Sequence, residues 1–481
     1  MKQKQYITTT LPYVNSEPHV GFALELVRAD ALARYYQLMD YDVFFNTGTD
    51  EHGVKIWEKA QEQGKDTQAY VDEYSEKFKN LHDALHITSG INFIRTTDKH
   101  HILAAQEFWN RCNENGFIYK KNYEAKYCGG CELVKTDSEL DHGHCPLHPN
   151  RELEIINEEN YFFKFSACQD FLLKFYEENP SFVVPAFRFN EIKNFVQEGL
   201  QDFSISRLKT KMPWGIPVPG DDDQVMYVWF DALVNYISTL NWPTDLTQFE
   251  SYWTEGQPIQ YAGKDNLRQQ AAMWQAMLYA AGLPNSHQIV INGFINSGGQ
   301  KMSKSLGNVI SPYDIIDEYG AEALRYYLLR HVHSFEDSDM TMEKFHEVYN
   351  ANLANGLGNL VQRTMKMIIS YEVDISDITF NDHDPITSYH KDHMEEFDFN
   401  KVMEEIWRLI GDLDTFIAKN EPFKKIKEDV DGAHKDLHYV AEELLRVAYS
   451  LYPFMPETAE KIQTCLTERK LPTEPLFARK D

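Results

Sequence analysis

What the chain lacks narrows its class first. No apolar run approaches the roughly 18 residues that a membrane-crossing helix needs, so no membrane partner is expected. The opening stretch, MKQKQYITTTLPYV, has no continuous apolar core of the secretory kind, and a cytoplasmic location is expected. Cysteine is scarce, with six in 481 residues. Three of the six fall between positions 128 and 145, a clustering that points to a metal rather than to disulfides. Basic residues are outnumbered: 47 Lys and Arg stand against 74 Asp and Glu, for a net charge of −27. That balance argues against a general nucleic-acid binder. An RNA partner would have to be met by a local basic surface within a repelling field. Internal repeats and low-complexity tracts are also missing.

The chain is long enough for about three domains. With 43% apolar and 13% aromatic residues it can bury several cores. Residues 6–10 are β-prone, Pro12, Asn15, Ser16 and Pro18 punctuate a loop, 20–39 reads as a helix and 42–46 as a short buried strand. This is the βαβ order of a parallel sheet. The pattern resumes with strands expected over 225–230 and 288–294 and a helix over 265–281. Between the halves the texture changes to charges, clustered cysteines and a Pro/Gly-rich stretch, PWGIPVPG, which reads as an insertion. From about 346 onward Gly and Pro are sparse and amphipathic patterns such as 403–416 and 441–449 predict a helical bundle. The expected division is 1–115 and 223–295 for the two halves of the α/β domain, 116–222 for the insertion with a knuckle over about 123–150, 296–345 for a loop and stem region, and 346–481 for the bundle.

Three motifs carry chemistry. Pro18-His19-Val20-Gly21 stands at the start of the first long helix, where unpaired N–H groups and the dipole suit a phosphate. Gly21 would let a ligand approach the backbone, and His19 could donate to a phosphate oxygen. Alone, a histidine at a helix start is more often a cap. Lys301-Met302-Ser303-Lys304-Ser305 follows Gly298-Gly299 and precedes Leu306-Gly307-Asn308. Two lysines in a small, Gly-flanked, hydroxyl-rich loop can clamp polyphosphate oxygens as charge develops; the plainer reading is a solvated basic loop. The third motif is Cys128-x2-Cys131-x13-Cys145-x2-His148. Two chelating pairs can close a tetrahedral zinc site, and four protein ligands make it structural, one ion per chain. Tyr127 and Gly129-Gly130 suit a tight knuckle. Buried free thiols are the plainer reading, and His142 and His144 are alternatives to His148.

Together the first two motifs resemble the paired nucleotide-binding motifs of class I aminoacyl-tRNA synthetases, His-hydrophobic-Gly-His and Lys-Met-Ser-Lys-Ser. Here Phe22 takes the fourth position of the first. Further segments narrow the resemblance to methionyl-tRNA synthetases: Thr47-Gly48-Thr49-Asp50-Glu51-His52-Gly53, Trp214-Gly215-Ile216-Pro217-Val218-Pro219, Tyr227-Val228-Trp229-Phe230-Asp231-Ala232, placed on a strand, and Gly263-Lys264-Asp265, placed in a turn. It extends from residue 6 to about 461. The fold it implies is α/β: a Rossmann-like parallel-sheet catalytic domain with a zinc-bearing insertion, followed by an all-α anticodon-binding bundle.

The resemblance implies an enzyme that joins L-methionine to the 3′ end of tRNA(Met) through methionyl-adenylate, using ATP with Mg2+. ATP would meet His19, Gly21, Gly263, Asp265 (at the ribose), Lys301 and Lys304. Of these, His19 and Lys304, supported by Lys301, would stabilise the reacting phosphates. Asp50 and the backbone of Leu11 would hold the methionine ammonium, and Tyr13, Trp229, Ala232, Leu233 and Tyr236 would wall the side chain. Gln269 and Gln270 stand where the family often has Phe-His, and the Gln270 amide N–H could replace the His N–H that faces sulfur. Asn292 stands where many relatives have a His near the adenine. Asn359 and Arg363 share a helix face and match the anticodon-reading pair. Phe423, after Pro422, replaces a stacking Trp, and Lys424, Lys425 and Lys427 offer local positive charge or a solvated face. Without the additional C-terminal module of some relatives, a monomer is expected. Two rivals remain: a tRNA-independent amino-acid-adenylating ligase on the same scaffold, and a non-catalytic zinc-knuckle RNA-binding protein.

Overall fold

The computed structural model describes residues 2–130, 133–135, 139–302, 307–378 and 388–481. Cys131 and the stretch 303–306, which includes Lys304, lie outside them. Among the described residues, six parallel strands form one sheet in the order Asn92–Arg95, Asp42–Thr49, Lys4–Thr8, Pro258–Gly263, Gln288–Asn292, Val183–Val184. Their near-continuous buried runs are what strands covered on both faces require. Lys4–Thr8 pairs with Asp42–Thr49 on one side and Pro258–Gly263 on the other. From these two neighbours the chain winds in opposite directions, so a crevice opens at their carboxyl ends. Open α/β sheets bind ligands at such a point.

The first helix, Val20–Leu38, is buried on nearly all sides up to Tyr35, so its polar groups need partners inside the protein. Arg28 donates to Asn292 Oδ1 at 2.8 Å and to the carbonyls of Ser334 and Val332 at 2.8 and 2.9 Å. Asp30 accepts from Arg34 at 2.9 Å and from Arg325 at 2.7 Å. Arg325 continues to the carbonyls of Phe454 and Pro453, at 2.7 and 3.2 Å. Buried charges are tolerable only when paired and hydrogen-bonded, and these bonds meet most of that need, leaving Arg28 Nε without a partner among the described residues.

The insertion is built on a long antiparallel ladder, Ile118–Cys128 against Glu154–Phe163, in register from Ile118↔Phe163 to Tyr127↔Glu154. The ladder carries Cys128 to its far end. Val183–Val184, from the same stretch of sequence, adds the edge strand of the central sheet beside Gln288–Asn292.

Two local expectations change. The strand expected over 225–230 ends at Met226, and Val228–Ala232 is a short helix. β-prone composition yields there to tertiary context; within the short helix Asp231 is bonded to His52. The helix expected over 265–281 is divided into a 3₁₀ turn Lys264–Asn266, a π-helical turn Gln269–Met273 and an α-helix Trp274–Ala280. The Gln275 amide donates to the Gln270 carbonyl at 2.9 Å, satisfying a backbone group that the widened turn releases.

The C-terminal region is helical as expected. In Phe399–Asn420 the buried positions 399, 402, 403, 406, 407, 410, 413 and 417 keep helical spacing. Glu421 ends that helix in the left-handed region, and Pro422 cannot continue it. Val430–Leu451 is capped by Asp429, which accepts from the Gly432 N–H at 2.9 Å. One apolar core runs unbroken from Leu32 of the first helix through Leu324 and Leu328 to Met403 and Leu444.

Candidate active site and metal centre

His19 caps the first helix at the crevice. Its Nδ1 accepts from the Gly21 N–H at 3.0 Å. Desolvation lowers its pKa; Asp265 opposes that shift and Lys301 adds to it. A neutral ring whose Nδ1 accepts must carry its proton on Nε2, so His19 offers a donor to the crevice. A Cβ at Gly21 would lie 2.8 Å from His19 Cε1. This glycine therefore makes room for the histidine ring. Phe22 turns into the core and packs edge-on against Phe78 at 5.2 Å.

The other described residues expected to meet ATP gather at the same end of the sheet. Asp265 follows Pro258–Gly263, and a Cβ on Gly263 would come within 2.8 Å of its Oδ1. Lys301 lies on Gln300–Lys301, opposite Asn296, with its Nζ 4.8 Å from the Phe294 ring centroid. Gly298 and Gly299 turn the loop at φ 62° and 75°, and the Gly299 N–H is anchored on Asp339 Oδ1 at 2.7 Å. The Val20 N–H donates to the Ile310 carbonyl at 3.2 Å, which ties the basic loop's far side to the helix start.

On the other side of the crevice, Leu11 and Tyr13 follow the first strand and Asp50 ends the second. The Asp50 N–H donates to the Pro12 carbonyl at 3.0 Å and the Val14 N–H to the Asp50 carbonyl at 3.2 Å. Tyr13 Oη donates to the His52 carbonyl at 2.6 Å, and a Cβ at Gly53 would overlap that hydroxyl. His52 Nδ1 meets Asp231 Oδ2 at 3.0 Å, and Trp214 Nε1 donates to the Glu51 carbonyl at 2.6 Å. Three segments far apart in sequence are thereby laced together. Trp229 and Tyr13 pack against the cluster of Tyr127, Met212, Val225 and Tyr227. Ala232, Leu233 and Tyr236 are buried. Gln270 donates through Nε2 to Tyr236 Oη at 2.7 Å and accepts at Oε1 from Gln260 at 3.1 Å. A cavity of about 510 Å³ opens beside Trp229 and Gln269.

Two features were not legible in the sequence. Glu25 is buried in the first helix, and its Oε1 accepts from both the N–H and the hydroxyl of Thr10 at 2.6 Å. Burial pushes its carboxyl up to about 8. No local signal separates it from a surface glutamate. His52 and Asp231 each lie within a segment that the sequence singles out, but nothing local shows that they pair.

At the insertion tip, the ligand atoms of Cys128, Cys145 and His148 lie within 4.8 Å of one another. His148 Nδ1 faces Cys128 Sγ at 3.8 Å and Cys145 Sγ at 3.9 Å. Ordinary zinc–sulfur and zinc–nitrogen bonds at tetrahedral angles give S···N edges of about 3.6 Å, so the donor set and its spacing fit such an ion. Among the described residues His148 completes this group, and the side chain of the alternative His142 is 96% exposed. A Cβ at Gly130 would overlap the His148 ring.

In the helical region, Asn359 opens Asn359–Ser370 and Arg363 follows one turn later. Arg363 is ion-paired with Asp414 of the neighbouring helix. Phe423 is 43% exposed in the short turn Pro422–Lys425. Lys424 pairs with Glu421 at 2.6 Å and Lys425 with Asp436 at 2.7 Å, so much of the expected local positive charge is neutralised in place.

Comparison with known proteins shows the family and the fold. The family model for "tRNA synthetases class I (M)" matches residues 5–154 and 149–365. The methionine–tRNA ligase of Fusobacterium nucleatum subsp. nucleatum is 38% identical over 479 residues, covering 97% of this chain and 75% of that one. The methionine–tRNA ligase of Thermosynechococcus vestitus is 39% identical over 474 residues, covering 95% and 88%. Among solved structures, Mycobacterium tuberculosis methionyl-tRNA synthetase in complex with methionyl-adenylate superposes with a TM-score of 0.89 at 33% identity, covering 99% and 98%. The apo form of that enzyme gives 0.82 at 30% identity, covering 100% and 99%. This chain belongs to the class I tRNA synthetases, and within them to the methionine–tRNA ligases.

Proposed function

We propose that the crevice activates L-methionine with ATP and that the product is transferred to tRNA(Met). The methionine carboxylate attacks the α-phosphate, forming an acyl–phosphate bond and expelling pyrophosphate. A ribose hydroxyl of the terminal adenosine then attacks the carbonyl and expels AMP. The observation that carries this reading is the position of His19, at the helix start by the sheet's switch point, with both Asp265 and Lys301 within electrostatic reach of it. Positioning and charge stabilisation suffice for such a reaction, with no covalent enzyme intermediate.

In this reading His19 Nε2–H, Lys301 and Lys304 hold the phosphates, Gly21 and Gly263 keep the approach open, and Asp265 binds the ribose. Asp50 and the Leu11 backbone take the ammonium. Tyr13, Trp229, Ala232, Leu233, Tyr236 and Gln270 form the side-chain pocket. Mg2+ accompanies ATP as counter-charge to the triphosphate. Cys128, Cys131, Cys145 and His148 hold one structural Zn2+, which fixes the insertion tip. Asn359, Arg363 and Phe423 meet the anticodon from the helical domain, taken as 346–481, while 1–115 with 223–295 forms the catalytic domain, 116–222 the insertion and 296–345 the loop and stem region. The chain acts as a monomer in the cytoplasm, and no described helix is long and apolar enough to cross a membrane.

ATP–pyrophosphate exchange measured across the amino acids tests this reading. Methionine should support exchange far better than the rest, and Lys304→Ala should depress its rate much more than methionine affinity. Exchange with a different amino acid, or an unaffected rate in Lys304→Ala, would overturn the corresponding assignment.

A further inference from the structure

Beneath the side-chain pocket lies a chain of buried amides and hydroxyls whose polarity can be deduced link by link. Gln260, Gln270, Gln275, Ser286 and Tyr236 are each at most 4% exposed. Backbone groups fix the first link, because an N–H can only donate and a carbonyl can only accept. The Ser286 N–H donates to Gln275 Oε1 at 3.1 Å, and Gln275 Nε2 donates to the Gln270 carbonyl at 2.9 Å. The orientation of the Gln275 amide is thus set. Its second N–H donates to Ser286 Oγ at 3.0 Å. Ser286 gives its single hydroxyl proton to its other partner, Gln260 Oε1.

With its oxygen accepting, Gln260 turns Nε2 toward Gln270 Oε1 at 3.1 Å. Gln270 in turn presents Nε2 to Tyr236 Oη at 2.7 Å. Tyr236 is therefore an acceptor on this side, and its own O–H is left to point elsewhere. Burial, reinforced by the nearby Glu25 carboxyl, holds that proton on the oxygen. A thioether sulfur has no proton to give and can only accept. A hydroxyl pre-set as donor matches it, whereas one already committed to Gln270 would not.

We propose that Ser286 and Gln260 are positioning residues for methionine selection, fixing the direction of the hydrogen-bond chain so that the Tyr236 hydroxyl meets the substrate sulfur as a donor. The inference rests on the pocket proposed above. Neither residue reaches the substrate; each acts through Gln270 and Tyr236.

The test is ATP–pyrophosphate exchange with methionine and with norleucine, which has a methylene in place of sulfur. Ser286→Ala, Gln260→Met and Tyr236→Phe would be compared with the parent. The KM for methionine should rise about three- to tenfold in all three, the range expected for loss of one hydrogen bond, while norleucine stays nearly unchanged. The methionine-to-norleucine preference therefore falls, and Ser286→Thr, which keeps the hydroxyl, should restore it relative to Ser286→Ala. A parallel loss for both amino acids would mean a packing role and overturn the proposal. If Tyr236→Phe lowers the preference but Ser286→Ala and Gln260→Met do not, the chain is irrelevant and the pocket reading survives. If none of the three changes it, the pocket reading falls, and the proposal with it.

Discussion

Alanine at position 130 tests the metal centre without replacing a ligand. A Cβ there would overlap Cγ, Cδ2 and Nδ1 of His148. Optimal separation between carbon atoms is about 3.5 Å or more, so the ring must retreat by roughly 1 Å. Its Nδ1 now faces the two thiols at 3.8 and 3.9 Å, and any retreat breaks that arrangement. Metal–ligand distances tolerate about 0.2 Å, several times less than the movement demanded. The backbone at Gly130 lies outside the left-handed region, so the substitution carries little strain of its own. Zinc affinity should fall about 100-fold, the upper end of what disturbing a ligand's support does elsewhere. That corresponds to about 2.7 kcal/mol. The measurement is a competition titration against a chromophoric zinc chelator, with elemental analysis of the purified chain. Gly129→Ala is the control: its Cβ would meet only Arg151 Nη1 at 3.3 Å and Glu154 Oε1 at 3.4 Å, the ends of flexible side chains. Zinc held equally tightly by Gly130→Ala and the parent would refute the placement of His148.

Two further outcomes are expected. The folded Glu25 carboxyl titrates near 8 against an ordinary 4.5, so its contribution to stability is present at low pH and is lost as pH rises through 8. Each tenfold difference in proton affinity between the folded and unfolded chain is worth roughly 1.4 kcal/mol. Glu25→Gln should therefore flatten the fall in stability between about pH 5 and 9, followed by denaturant unfolding. An unchanged slope would mean that Glu25 does not carry it. Phe423→Ala should weaken tRNA binding by roughly 1–3 kcal/mol, as loss of base stacking does elsewhere. Charging would fall while ATP–pyrophosphate exchange held, and Phe423→Trp would be tolerated; charging equal to the parent across tRNA concentrations would remove Phe423 from anticodon reading.

The sequence was most informative where function needs a particular residue at a particular spacing. His19 at a helix start, the Cys128 to His148 spacing and the βαβ order are local patterns, and the structure contains all three in their described parts. Features made by distant residues left no such trace. The partners of Glu25 and Arg28, and Arg325 beside Asp30, come from outside the first helix, so a helix buried all round read as an ordinary one. Residues 225–230 look β-prone in isolation, but the strand stops at Met226 and Val228–Ala232 is a helix in which Asp231 meets the distant His52. The amide of Gln270 could be assigned a substrate contact from its chemistry. Only the structure shows that it is already engaged by Gln260 and Tyr236. Similarly, the run of lysines after Phe423 reads as positive charge until Glu421 and Asp436 are placed beside it.

The clamp formed by Arg325 has a mechanical consequence. It grips the carbonyls of Pro453 and Phe454, just past the end of Val430–Leu451, and the same guanidinium holds Asp30 in the first helix. That C-terminal helix has 22 residues and is therefore about 33 Å long. Its other end follows the turn that bears Phe423. The helix is thus a lever with its fulcrum beside the helix that His19 caps. With that length, a tilt of about 2° at the fulcrum sweeps the far tip through about 1 Å, roughly a third of a hydrogen-bond length. The buried guanidinium joint and the apolar face from Leu437 to Leu451 together fix where that tip lies.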